Sequence, residues 1–209
     1  MCVIVIKPSD VQISQQTIRN CWTANPHGAG LSYVKNKTVV IEKGFMKVED
    51  LIERVRFLQK MELIIHFRYA THGLRDAGNC HPFPISTENA DLRATKLKTP
   101  IALHHNGVIY EVADDKILSD SQVFIRDVLS DYTDEEIECD STVVRTMMAT
   151  FSKFALMFAN GKIATVGNFY EYDGMRVSNL NFNRYNYEEK IVTQKYFTKS
   201  VTKTKGLMV

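Results

Sequence analysis

The chain has 209 residues, 44% hydrophobic and 24% charged, the composition of one folded domain; disorder, collagen and coiled coil are excluded. A net charge of +2 is too near neutral to point to nucleic acid, and no apolar run approaches the roughly 20 residues of a membrane span. The start, MCVIVIKPSD, lacks the basic n-region and cleavage site of a secretory signal, so a cytoplasmic protein is expected.

Residues 2–7 (CVIVIK) are apolar and largely β-branched, which predicts a buried strand. A helix over 14–23 follows, then a loop at Asn25-Pro26-His27-Gly28-Ala29-Gly30 and strands at 31–34 and 38–42. Val48, Leu51, Ile52, Val55 and Leu58 fall at i, i+3, i+4, i+7 and i+10, the stripe of an amphipathic helix. Leu63-Ile64-Ile65 reads as a short strand running into HFRYATHG at 66–73. Residues 74–99 are polar and read as one long excursion.

IALHHNGVIYEV at 101–112 reads as strand, Asn106-Gly107 turn, strand. A helix starts near Ser119 or Asp120, with Phe124, Ile125, Val128 and Leu129 inward. A second helix runs through Val144, Met147, Met148 and Phe151, again at helical spacing. FALMF at 154–158, Asn160-Gly161 and KIATV at 162–166 predict a hairpin, ahead of short strands near 169–172 and 175–178. Mixed helices and strands without a linker predict one α+β or layered α/β domain over 1–189. Residues 190–209, with five lysines and no acid, read as a basic, solvated C-terminal tail.

Four groups carry candidate chemistry. Cys2 becomes the first residue if Met1 is removed, and then holds both a nucleophile and an α-amine able to act as its base. HFRYATHG holds Arg68, whose planar fork suits a carboxylate. Asn106 and Gly107 can aim two donors at one oxyanion, although a plain turn also explains the pair. Ser119-Asp120-Ser121 can cap a helix, and the Asp120 carboxylate can receive an ammonium. Five of the six histidines (66, 72, 81, 104, 105) lie in the central third. No acid stands at ligand spacing, and His104 and His105 would face opposite sides of a strand, so no metal is expected. The cysteines at 2, 21, 80 and 139 form no C-x-x-C pair; the last three read as reduced, structural thiols.

In order and spacing, Cys2, HFRYATHG, Asn79-Cys80-His81-Pro82, HNG at 105–107 and SDS at 119–121 resemble the class II (N-terminal nucleophile) glutamine amidotransferase domains. Examples are those of glucosamine-6-phosphate synthase and amidophosphoribosyltransferase. The resemblance implies a four-layer αββα sandwich of two mostly antiparallel sheets, of Ntn-hydrolase type. It implies that Cys2 attacks the side-chain amide of L-glutamine, with Asn106 and Gly107 holding the oxyanion. Arg68 would grip the substrate carboxylate, Asp120 its ammonium, and Thr71, His72 and Gly73 would shape the pocket. No cofactor is implied. The family often has Arg-Gly where this chain has Asn25-Pro26-His27-Gly28, and Tyr69 stands where some members have Trp. No synthase domain follows, so a separate ammonia-accepting synthase or amidoligase is the implied partner. Two alternatives stand beside this one: an amidohydrolase acting on another amide, and a catalytically silent binding or regulatory subunit if Met1 is retained.

Overall fold

A computed structural model describes residues 2–184; the basic segment 190–209 lies outside the described residues. The chain is α+β, with two antiparallel sheets and six α-helices among the described residues. The first sheet has seven strands: β1 (Val3–Lys7), β2 (Ala29–Lys35), β3 (Thr38–Phe45), β4 (Leu63–Phe67), β6 (Lys96–Thr99), β10 (Tyr170–Tyr172) and β11 (Met175–Val177). Their spatial order is β10-β11-β1-β4-β2-β3-β6. The second has four, in the order β5 (Phe83–Pro84), β7 (Ile101–Asn106), β8 (Lys153–Phe158) and β9 (Ile163–Val166).

Three apolar clusters hold these elements, and strand alternation decides which residue joins which. Val3 and Val5 of β1, with Leu31, Ile65 and Phe67, pack beneath α1 (Gln15–Ala24) and α2 (Val48–Phe57), which supply Ile18, Leu51, Ile52 and Val55. Ile4 and Ile6 point the other way and meet Val39, Ile41 and Ile64, with Ala102, Ala155 and Met157 of the second sheet. On that sheet's far face Leu103, Phe154 and Leu156 pack with Phe124, Ile125, Ile137, Val143 and Met147. Those residues come from α4 (Asp120–Asp127), α5 (Asp134–Cys139) and α6 (Ser141–Ala149). The clusters are compatible with a layered sandwich. At β1 both faces are buried, as an unbroken apolar run requires.

Helix ends follow their capping residues. Ser14 accepts from the N–H of Thr17 at 3.0 Å, and Thr133 and Glu136 form a reciprocal capping box at α5. Glu49 and Asp50 begin α2 and Arg54 and Arg56 end it, matching the helix dipole.

Three expectations are corrected. No strand follows Asn106-Gly107: β7 pairs with β5 and β8, and residues 108–118 form an irregular loop instead of a returning strand. Residues 74–99 are not one loop but hold a 3₁₀ turn (Ala77–Asn79), β5, α3 (Asn89–Arg93) and β6. Polar anchors fix them: buried Lys43 donates to the carbonyls of Gly78 and Leu92 at 3.0 and 2.7 Å, and Arg93 pairs with Asp76 at 2.7 Å. On α6 the inward residues are Val143 and Met147, while Val144, Met148 and Phe151 are exposed. That helix ends at Ala149, and Phe151 sits past its cap with φ +54°, which turns the ring to solvent. The Asn160-Gly161 hairpin does form, between β8 and β9.

Candidate active site

The register of β1 against β4, with Val3 opposite Phe67, carries Cys2 to the level of Arg68 at the sheet's end. There the Tyr69 N–H donates to the Cys2 thiol at 3.2 Å, and the Asn179 amide donates to the Cys2 carbonyl at 2.7 Å. Burial pushes the Cys2 thiol pKa up; the Tyr69 N–H and nearby Arg68 pull it down by less. A resting neutral thiol therefore needs a base before it can attack.

Cys2, Arg68, Thr71, His72, Gly107 and Asp120 line one cleft, together with Tyr69, Ala70, His81, His105, Ser119 and Ser121. Its free volume is about 20 Å³, room for about one water, so a larger ligand enters only if the lining gives way.

Arg68 is 2% exposed. Its guanidinium donates to the carbonyls of Leu74 at 2.7 Å and His72 at 3.0 Å, which ties the 69–74 loop to the strand end. Among the described residues no carboxylate stands within ion-pair distance of it. A buried cation without an anionic partner costs several kcal/mol, offset here in part by the two carbonyls. Behind it, the His27 N–H donates to the Arg68 carbonyl at 3.0 Å and the Arg68 N–H to the Gly28 carbonyl at 2.8 Å. The Ala70 N–H donates to His27 Nδ1 at 2.9 Å, so the 25–28 loop, where the family pattern departs, backs this wall.

Asp120 opens α4 just after Ser119, which caps the helix in a capping box with Gln122. Its Oδ2 accepts from the Ile109 N–H at 2.9 Å and its Oδ1 from the Ser121 N–H at 2.9 Å. Oδ1 also lies 3.4 Å from the Ser121 hydroxyl, whereas Oδ2 keeps a lone pair for a cation.

The remaining candidates are placed differently. Gly73 lies outside the cleft lining, at φ +69°, and a Cβ there would stand 2.7 Å from Asn79 Nδ2 and the Leu118 carbonyl. Gly107 packs against Ser152, just before β8, where a Cβ would come within 2.1 Å of the Ser152 hydroxyl. Asn106 is buried and absent from the cleft lining; its amide lies 2.8 Å from the Ser178 hydroxyl.

A buried histidine group adjoins the cleft. His66 and His81 stack at 4.2 Å, and Ser121 Oγ lies 3.1 Å from His81 Nε2 and 2.7 Å from His105 Nδ1. His104 Nε2 lies 2.9 Å from Ser32 Oγ across the sheets, so His104 and His105 do face opposite sides of β7. Burial lowers all four, His66 to about 3 and His105 to about 4. They are neutral at pH 7.

Ser178 and Asn179 adjoin the site without a sequence signal of their own, since each is brought there by contacts made in three dimensions, whereas Ser121 and His27 lie in segments the sequence singles out. The 108–118 loop adds a second cleft, sharing His72 and Asp120 with the first and walled by Tyr110, Asp114 and Asp115. No family model and no curated protein matches the chain.

Proposed function

We propose that this chain is a class II glutamine amidotransferase domain of Ntn-hydrolase type. It hydrolyses L-glutamine to glutamate and ammonia through a thioester on Cys2. The observation that carries the reading is the unpaired, buried Arg68 guanidinium in one small cleft with a thiol and a carboxylate. A free α-amino acid with an electrophilic side chain carries the three complementary groups.

Arg68 takes the substrate α-carboxylate and Asp120 its α-ammonium, which leaves the side-chain amide facing Cys2. With Met1 removed, the Cys2 α-amine accepts the thiol proton as Sγ bonds to the amide carbon. Donors from Asn106 and Gly107 stabilise the oxyanion. Its collapse breaks the C–N bond, and the α-ammonium returns the proton as ammonia departs. Water then adds to the thioester, releasing glutamate and the thiol. The four-layer αββα arrangement of the family accords with the three clusters. Ammonia is useful when delivered, so the reading includes a separate synthase or amidoligase as acceptor, in the cytoplasm. Among the described residues no helix is long and apolar enough to cross a membrane.

The test is glutamate release from L-glutamine with mass spectrometry of the quenched protein. A γ-glutamyl adduct on Cys2, absent from Cys2→Ala, is expected. Hydrolysis that survives Cys2→Ala would overturn the reading.

A further inference from the structure

Ser178 is fully buried just after β11 and is held on every side. Its N–H donates to the Ile4 carbonyl at 2.9 Å, and its Oγ accepts the Ile4 N–H at 2.9 Å. Lys153, opposite Asn106 in the β7–β8 register, donates to the Ser178 carbonyl. The next residue, Asn179, holds the Cys2 carbonyl. Ser178 thus touches the nucleophile's strand on one side and Asn106, 2.8 Å away, on the other.

The hydroxyl of Ser178 has one hydrogen to give. With Asn106 Nδ2 turned toward Ser178, that hydrogen finds no acceptor in these contacts, and Asn106 Oδ1 is a buried acceptor with no partner among the described residues. With the amide rotated half a turn, Oδ1 accepts from the Ser178 hydroxyl and both Nδ2 hydrogens are left to donate. The two ends of an amide are nearly the same size, so hydrogen-bond accounting chooses between them. An orphaned carbonyl on Asn106 would repel an oxyanion, whereas an amide NH₂ stabilises one.

We infer that Ser178 is a positioning residue, which holds Asn106 with its carbonyl oxygen toward β11 and its NH₂ free for the oxyanion formed at Cys2. The inference rests on the glutaminase reading above. It adds a determinant remote in sequence from every motif and one bond removed from the substrate. Because the oxyanion exists after attack and not in the bound ground state, the effect falls on kcat and leaves KM in place.

The experiment compares wild type, Ser178→Ala, Ser178→Thr and Ser178→Cys for glutamine hydrolysis, with thermal melting beside it. Losing an oxyanion donor costs roughly 10²–10³ in kcat, and losing its orientation part of that. Ser178→Ala should therefore lower kcat about 10- to 100-fold with KM within about twofold. Ser178→Thr, which keeps a hydroxyl, should recover most of the rate, and Ser178→Cys, a weak donor, little of it. In an Asn106→Ala background Ser178→Ala should have no further effect, since both act through one interaction. A folded Ser178→Ala with wild-type kcat, or effects that multiply with those of Asn106→Ala, would overturn the inference and leave the glutaminase reading standing. If Ser178→Ala does not fold, equal rates in Ser178→Thr and Ser178→Cys would overturn it. A wild-type chain, cleared of Met1, that releases no glutamate would remove both.

Discussion

The main-chain N–H of Tyr69 donates to the thiol of Cys2 across 3.2 Å, which fixes the sulfur beside the Arg68 loop. Two strands set this contact: Cys2 precedes β1, Tyr69 follows β4, and the β1–β4 ladder holds them side by side. The remaining cysteines lie elsewhere, Cys21 on the buried face of α1, Cys80 buried behind the 25–28 loop and Cys139 exposed. Replacing Cys2 with Ala should abolish glutamate release. Cys21→Ala, Cys80→Ala and Cys139→Ala should keep most of the activity wherever they fold, as a coupled glutamate assay would show.

Arg68→Lys should raise KM for glutamine by about 30-fold or more, with kcat changed less. The planar fork donates to two loop carbonyls and, on the proposed reading, to the substrate as well, which a point charge does not replace. Loss of a charge-assisted contact of this kind costs roughly 2–5 kcal/mol. Steady-state kinetics on glutamine, and on an amide lacking the α-carboxylate, checks this. Equal use of both substrates by the wild type would contradict the role of Arg68.

Stability should fall on acidification below about pH 6.5, the ordinary histidine pKa. His66, His81, His104 and His105 are buried neutral, with pKa values lowered by burial, to about 3 for His66 and about 4 for His105. Below 6.5 the unfolded chain binds protons that the folded chain refuses, so stability rises with pH there. The contribution is fully present above 6.5 and is lost as pH falls toward the folded values. Each such group removes up to about 1.4 kcal/mol per pH unit. Urea midpoints should fall from pH 7.5 to 6 and further from 6 to 5; a level midpoint down to pH 5 would count against this.

Phe151→Gly should stabilise the fold by about 0.5–1 kcal/mol. Phe151 occupies the position after the α6 cap where glycine is usual, at φ +54°, and is 97% exposed, so little packing is lost. Left-handed backbone costs a residue with a Cβ roughly 1–2 kcal/mol, and glycine's extra unfolded freedom gives back about half. Chemical denaturation measures the difference. An unchanged or lower midpoint would show that the ring contributes to the fold.

Gly107→Ala should cost about 1–3 kcal/mol and most of the turnover, because a Cβ would meet the buried Ser152 hydroxyl at 2.1 Å. The glycine here serves close packing against Ser152, just before β8, not a hairpin turn. Melting temperature and kcat should fall together.

Where apolar periodicity is strong, the elements are legible in the sequence: β1, α2, β4 and the β8–β9 hairpin all lie where their patterns predict. The 74–99 segment is illegible because its order comes from Lys43, Arg93 and Gln122 reaching loop carbonyls and amides, which no local pattern records. Asn106-Gly107 misleads for a related reason. The dipeptide suits a tight turn, yet β7's partner is β8, some fifty residues on, and the pairing overrides local preference. On α6, Val144, Met148 and Phe151 have helical spacing, but the face that Val143 and Met147 present is the one that reaches the sheet. Of the candidate site, Cys2, Arg68, Thr71, His72, Gly107 and Asp120 are legible and share one cleft. Ser178 and Asn179 are not, since their contacts to Ile4 and Cys2 span more than 170 positions.

On the proposed reading, Cys2 acts as an N-terminal nucleophile with its own α-amine as base. Removal of Met1 frees that amine, and a residue left ahead of Cys2 turns it into a peptide N–H that accepts no proton. The most direct measurement pairs intact mass with glutamate release for two proteins, one beginning at Cys2 and one retaining an N-terminal extension. The protein beginning at Cys2 should turn over glutamine, with a rate that falls as pH drops below about 7.7–8.0, the ordinary α-amine range. The extended protein should melt at the same temperature and release no glutamate. Full activity from a chain whose mass shows Met1 still attached would contradict the account.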